Sequence, residues 1–309
     1  MAYFESSRPK IASQVAPVHL PRYNQPMFIN FPPQSDPISA NFAVIAPGLG
    51  RGEPLPAGWR RVTDLPLAIL VGLTGVGKST TLAALAETGI AFTLLPNRRE
   101  VTDWLIIAAM QALDGDPIQP VTDRTARFAF TRRYREQFPG GMAHALAQLS
   151  VDPSAWPTPL FFDGLRGEDE VAHAVALLPQ ARFVVLHAPD EVRVQRLLGR
   201  NDAFDQVAPA SHEMDQSGIR SFADLGLSAA AHLFTRTQQE ALIGLVHRRE
   251  VAPADLAAKL KIVLEERRNY DPSGAMNALR TLAPSRTLVV DTTVHSPQQA
   301  AGQIMDFLS

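Results

Sequence analysis

Gly72-Leu73-Thr74-Gly75-Val76-Gly77-Lys78-Ser79-Thr80 is the stretch on which the reading of this chain turns. It carries the complete Walker A spacing, G-x-x-x-x-G-K-S. Before it, Leu67 to Val71 (LAILV) is a short apolar run that predicts a buried parallel strand. After it, Thr80 to Thr88 predicts a helix with Leu82 and Leu85 on its apolar side. Glycines allow successive backbone N–H groups to turn inward around a phosphate chain, and the helix start adds the positive end of its dipole. Gly72, Thr74, Gly75, Val76, Gly77, Lys78, Ser79 and Thr80 would then form a nucleotide cradle. In it Lys78 reaches the β- and γ-phosphates and the Ser79 hydroxyl ligates Mg²⁺. The expected ligands are ATP and Mg²⁺.

Working outward, further apolar runs lie at Ala91 to Leu95, Leu160 to Asp163, Phe183 to His187 and Thr287 to Asp291. Strands alternating with helical stretches predict an α/β fold: a P-loop NTPase core with a five-stranded parallel sheet flanked by helices. Two long helical segments interrupt the alternation, at about 99–150 and 207–284. Both should emerge at the rim where ligands of parallel sheets bind. The expected organisation is a Pro-rich N-terminal arm (1–64), a core (65–206) whose segment 99–150 binds the acceptor, a helical insertion or lid (207–284), and the last strand and helix (285–309). Within the insertion, helices are expected near Ser221 to His247, Pro253 to Arg268 and Pro272 to Leu282. In the second of these, Leu256, Leu260, Val263 and Leu264 share a face, and Lys259, Lys261, Arg267 and Arg268 read as its solvated side. The arm shows short strand signals at Met27 to Phe31 and Phe42 to Ile45, with Phe28, Phe31 and Trp59 as docking anchors to the body or to a second subunit.

Composition narrows the classes. The chain has 309 residues, 46% hydrophobic and 19% charged, as soluble globular proteins have. No apolar run approaches the roughly 18 residues a membrane helix needs, and the N-terminus lacks a secretion signal, so a cytoplasmic location is expected. The absence of cysteine excludes disulfides, thiolate zinc sites and a cysteine nucleophile, and the eight histidines show no metal-ligand spacing. A net charge of −2 points to neither nucleic acid nor an anionic membrane. The basic residues are skewed, however. Only Lys10, Lys78, Lys259 and Lys261 are lysines, while Arg98, Arg99, Arg124, Arg127, Arg132, Arg133 and Arg135 crowd one segment. Arginine forks match phosphate oxygens bidentately.

Pro159-Leu160-Phe161-Phe162-Asp163 has the Walker B form, an apolar strand ending in a carboxylate that can hold Mg²⁺ or its water opposite Ser79. A turn-forming aspartate before Gly164 is the plainer alternative. Arg166 follows three residues later, near where transferred and acceptor phosphates would meet, unless it serves a structural salt bridge. Arg193, Arg196 and Arg200 stand at i, i+3 and i+7, hence on one helix face. That face either reaches the phosphates or is simply solvated. Arg98 and Arg99 follow the second strand and could reach an acceptor phosphate, with one of them structural. Arg127, Arg135 and Arg166 complete the candidate phosphate ligands, and pairing with Glu136 or Asp123 is the alternative for Arg135.

The order of these blocks resembles the adenylate kinases and, more closely, adenylate-kinase-like proteins labelled dephospho-coenzyme A kinase-like. Asp163-Gly164-Leu165-Arg166 is similar to their Asp-Gly-x-Arg. Pro120 to Asp123 with Tyr134 to Ala143 is similar to their Pro-Thr segment and Leu-Arg-x-x-x-Gly-x-x-x-Ala helix junction, Glu191 to Arg200 to the arginine helix leading into the lid, and Thr287 to Thr292 to the closing strand. The resemblance spans about 65–206 and 285–309. It implies Lys78, Ser79 and Thr80 on ATP and Mg²⁺, Arg135 and Arg166 on the acceptor's phosphate, and Arg196 and Arg200 over the transferring phosphoryl or the adenine. Arg166 lacks the preceding proline of adenylate kinases, and 207–284 is longer than their usual lid.

An anionic acceptor needs arginines to relieve repulsion, whereas a hydroxyl acceptor benefits from a base such as an aspartate. Arg98 and Arg99 follow the second strand, and the nearest carboxylate, Asp103, comes a turn later. The expectation is therefore a kinase for a nucleoside monophosphate or another small phosphorylated molecule. A hydroxyl-acceptor kinase using Asp103 or Asp163 is the alternative. A third reading is an NTP-dependent switch that binds a partner protein, or a second copy, through the arm or the insertion.

Overall fold

The computed structural model describes residues 41–199 and 218–309; the expected strand at Met27 to Phe31, the anchors Phe28 and Phe31, and Arg200 lie outside them. Its centre is a five-stranded parallel sheet of β4 (Leu67–Val71), β5 (Thr93–Leu94), β7 (Leu160–Leu165), β8 (Ala181–His187) and β9 (Thr287–Asp291). Their spatial order is β5-β7-β4-β8-β9, so the strand feeding the glycine loop lies in the middle. All five expected strands are present.

Alternate side chains of a strand point to opposite faces, and this sheet is covered on both. Leu67, Ile69 and Val71 of β4 join Phe183 and Val185 of β8 in one core, where they meet α6 (Glu168–Leu177) through Val171 and Ala174, and α10 (Pro272–Leu282) through Ala275 and Leu279. Ala68 and Leu70 join Val184 and Leu186 in the other, beneath α1 (Lys78–Glu87) and α11 (Pro297–Leu308). Strands buried on both faces read as unbroken apolar runs, which is why they are visible in the sequence.

β7 runs past the expected end at Asp163. Its register with β4 shifts between Phe162 and Leu165, a bulge that takes up Asp163 and Gly164. A Cβ on Gly164 would stand 2.3 Å from the Phe162 ring. That ring is fully buried. Gly164→Ala is therefore expected to destabilise the protein by about 1–3 kcal/mol through overpacking, read as a lower denaturant midpoint. An unchanged midpoint would contradict this packing.

The described part of the N-terminal segment is more than an extended arm. β1 (Ala43–Ala46), β2 (Leu49–Arg51) and β3 (Arg60–Arg61) build an antiparallel sheet with β6 (Leu149–Val151), in the order β1-β2-β6-β3. Leu49, Val62 and Val151 anchor it in the first core. Trp59 packs edge-on against Phe42, with ring centroids 5.0 Å apart. Segment 99–150 is mainly helical, as expected: α2 (Arg98–Val101) continues through a wider turn at Thr102–Ile107 into α3 (Ala108–Asp114), followed by α4 (Arg124–Gln137) and α5 (Met142–Ala147).

The insertion divides. α7 (Asp190–Leu198), α8 (Arg236–His247) and α9 (Pro253–Asn269) share a third core built on Val194, Leu197, Phe222, Leu242, Leu256 and Leu260. α10 instead belongs to the main body. Lys259, read as part of a solvated face, is only 6% exposed. No helix among the described residues is long and apolar enough to cross a membrane.

Candidate functional site

The loop between β4 and α1 takes a shape that its glycines permit. Gly72 has φ 150°, and a Cβ there would meet the Leu186 carbonyl oxygen at 2.6 Å. Gly75 has φ 87° and lies against the backbone of Arg193. Side chains are strained at such angles, so both close approaches need glycine.

The loop's carbonyls are turned outward onto donors. Lys78 Nζ donates to Gly72 O at 2.7 Å and Leu73 O at 3.1 Å. Arg193 Nε donates to Thr74 O at 2.8 Å, and Arg196 donates to Gly75 O at 3.3 Å. Val76 O lies 2.8 Å from the Thr292 hydroxyl, which also contacts His187 O. Five consecutive carbonyls are thus occupied by side-chain donors. The amides of Gly75, Val76 and Gly77 meet no protein acceptor among the described residues, and no side chain caps α1 at Gly77. Such a row of amides at a helix start is a concavity suited to an anion.

Charged groups gather beside it. Burial first, and then the Arg166 charge, lower the Lys78 pKa against the pull of Asp163 and Glu266, leaving it at about 8. Lys78, Asp163, Arg166, Arg193 and Glu266 therefore share one site. Ser79 and Thr80 are exposed in the first turn of α1, and Asp163 sits half-buried at the β7 bulge. Among the described residues no group of three or more His, Cys, Asp or Glu side chains could hold a metal alone. One hydroxyl and one carboxylate suit a Mg²⁺ that takes its other ligands from phosphates and water.

The other expected residues have varied placements. Arg196 bonds Thr292 through its side chain and carbonyl at 2.9 and 2.7 Å, bracing the back of the loop. Arg98 is held by both Glu170 oxygens, Gly164 O and the Tyr270 hydroxyl. Burial lowers its pKa, and Glu170 and Tyr270 more than compensate, leaving it raised. Its hydrogen-bonding capacity goes to tying β7, α6 and the end of α9 together. Arg127 pairs with Asp103 and also donates to Val121 O at 2.9 Å. Arg99 is exposed at the start of α2. Arg135 pairs with neither expected carboxylate: Glu136 approaches Arg132 instead, and Asp123 caps α4. Its side chain lies over Gly141, where a Cβ would come within 2.6 Å of Arg135 Cγ. It meets no hydrogen-bond or ion-pair partner among the described residues.

Glu266 is the residue that sequence reasoning missed. It accepts from Thr74 N at 3.1 Å, Thr74 Oγ1 at 2.6 Å and Arg166 at 2.6 Å, and pairs with the buried Arg193. Burial pushes its pKa up, and Arg166 and Arg193 overcome this and hold it below the ordinary range. One signal was present: Glu266 continues, at i+3 from Val263, the apolar stripe of its helix. A carboxylate in phase with a buried face needs cationic partners. Neither a protein-family model nor a curated protein matches this chain.

Proposed function

We propose that this chain is an ATP-dependent phosphotransferase of the adenylate-kinase-like P-loop type, acting on a small phosphorylated acceptor, foremost a nucleoside monophosphate. The observation that carries the reading is the glycine loop, whose carbonyls from Gly72 to Val76 are all taken by side-chain donors. Its amides and the dipole of α1 are left to bind phosphate oxygens. ATP with Mg²⁺ would supply the phosphoryl group. Lys78 neutralises phosphate charge, while Ser79 and Asp163 would hold the metal. Arg166 faces the transferred phosphoryl beside Lys78. Catalysis is then positioning and charge stabilisation rather than covalent chemistry.

The phosphate acceptor is favoured over a hydroxyl one because Asp103, one of the two candidate bases, is committed to Arg127. Arg135, which meets no partner among the described residues, is the acceptor ligand in this reading. Arg135→Ala should raise the acceptor KM by about tenfold, the worth of one charged hydrogen bond, with ATP affinity changed much less. Equal losses for both substrates would remove Arg135 from the acceptor site.

A second reading, an NTP-dependent switch, draws on the separate hydrophobic core of α7, α8 and α9, a body large enough to dock a partner. ADP release from ATP and Mg²⁺ across nucleoside monophosphates, deoxynucleoside monophosphates and dephospho-coenzyme A separates the readings. Strong stimulation by one monophosphate supports the kinase. Slow hydrolysis indifferent to every acceptor would sink it and favour the switch.

A further inference from the structure

Glu266 reaches the glycine loop from α9, 192 residues along the chain from Thr74, and the residue is only 7% exposed. Its acceptor capacity is full. One oxygen takes the Thr74 hydroxyl and Arg166, and the other takes the Thr74 amide and Arg193. A carboxylate has about four lone-pair positions, so none remains for a substrate proton. Together with its low pKa this excludes Glu266 as a general base. What remains is orientation.

Its two arginines differ. Arg193 is 1% exposed and spends its guanidinium on Thr74 O, Asp190 and Glu266. It closes a ring with Thr74 and Glu266 that stiffens the outer end of the loop. Arg166 is more open, with its side chain 27% exposed. One terminal nitrogen is held by Glu266, and Nε is buried without a partner among the described residues. Its other terminal nitrogen has no protein partner among the described residues. Glu266 thus grips Arg166 by one edge and leaves a donor beside Lys78.

We propose that Glu266 is a positioning residue: from α9 it fixes the Thr74 end of the glycine loop and aims Arg166 at the terminal phosphate of the bound nucleotide. This rests on the phosphotransferase reading and adds the residue that sets its discrimination between triphosphate and diphosphate. It also gives the insertion a definite task, since α9 forms a fixed wall of the site. A purely structural Glu266 would weaken binding of both nucleotides alike. A positioning one acts through Arg166, and residues that act as a unit are not additive.

The test is calorimetric binding of ATP·Mg²⁺ and ADP·Mg²⁺ to the full chain and to Glu266→Gln, Arg166→Ala and the double variant. Glu266→Gln should lose about tenfold in ATP affinity, with ADP affinity changed by less than about threefold. Arg166→Ala should lose a similar factor alone and little more in the Glu266→Gln background. Glu266→Asp keeps the charge among the arginines, so it should fold even if the Gln variant does not. Being one methylene shorter, it should show a partial, ATP-selective loss. The proposal is overturned if Glu266→Gln or, where that variant does not fold, Glu266→Asp binds ATP as the wild type does. It is equally overturned by parallel losses for ATP and ADP, or by a full Arg166→Ala penalty in both backgrounds. A wild type that binds neither nucleotide would instead overturn the phosphotransferase reading, and Glu266's role with it.

Discussion

Lys78→Ala is expected to lower acceptor-dependent ADP release by about 10²–10³-fold, the usual loss when one preorganised charge is taken from developing transition-state charge. The lysine enters at the first residue of α1 and is folded back over its own loop, within hydrogen-bond reach of Gly72 O and Leu73 O. That posture places one cation beside the row of loop amides. Burial and the neighbouring charges together bring its pKa down to about 8, so at neutral pH the ammonium form still dominates. Arg166 adds to the repulsion, and a polyphosphate entering there would relieve it. Alanine removes the charge and leaves the neighbouring arginines without an anion-binding partner inside the loop. Its structural cost is small by comparison, because only two loop carbonyls lose a donor. The variant should therefore keep its circular dichroism and much of its melting temperature. Turnover retained within about threefold would mean that the loop is not the phosphate site this reading requires.

Arg193→Ala should have the largest effect on stability, about 3–5 kcal/mol, because it strands carboxylates that are already out of water. Arg193 is the largest fully buried side chain of the protein's described residues. It answers Glu266 at one end of its guanidinium and Asp190 at the other, at 2.6 Å, while Nε supports the Thr74 carbonyl. Asp190 retains a longer contact with Arg267 at 3.4 Å, and Glu266 retains Arg166. Neither replaces a buried fork that bridges both acids. Denaturant unfolding followed by fluorescence and circular dichroism would measure the loss. A shift below about 1 kcal/mol, the range of an exposed ion pair, would show that the network is slack. The same variant should bind nucleotide poorly at temperatures where it stays folded, since the outer end of the loop is held through this arginine. The site is thus supported from behind by the residue on which the fold also depends.

Much of this architecture was legible in the sequence. Runs such as LAILV at Leu67–Val71 and TLVVD at Thr287–Asp291 are short, apolar and interrupted by helical stretches, because a sheet covered on both faces demands apolar residues at every position. α10 begins and ends where expected, and Pro272 at its first position with Asp271 as its cap explains the start. The glycine loop was legible for the same kind of reason: backbone angles near 150° and 87° restrict a position to glycine, and that restriction is written residue by residue.

Contacts between distant residues were not legible. Arg98 and Arg166 look alike along the chain, both following strands at the same rim. Folding gives Arg98 to Glu170, Gly164 and Tyr270, while Arg166 keeps a terminal nitrogen beside the loop. The stretch 41–64 carries strand-like fragments whose partner, Leu149–Val151, lies about ninety to a hundred residues away. The arginines of α7 read as one face of a helix, and only packing against the glycine loop turned Arg193 and Arg196 into donors to its carbonyls. By itself the sequence determined the local chemistry: strand, glycine turn, lysine, helix, and the carboxylate at Asp163. Tertiary structure alone decided which arginines stay open and which are neutralised, and it alone brought Glu266 to Thr74. The physical reason is that periodicity and backbone restriction act over a few residues, whereas pairing of buried charges is set by which helices the core brings together.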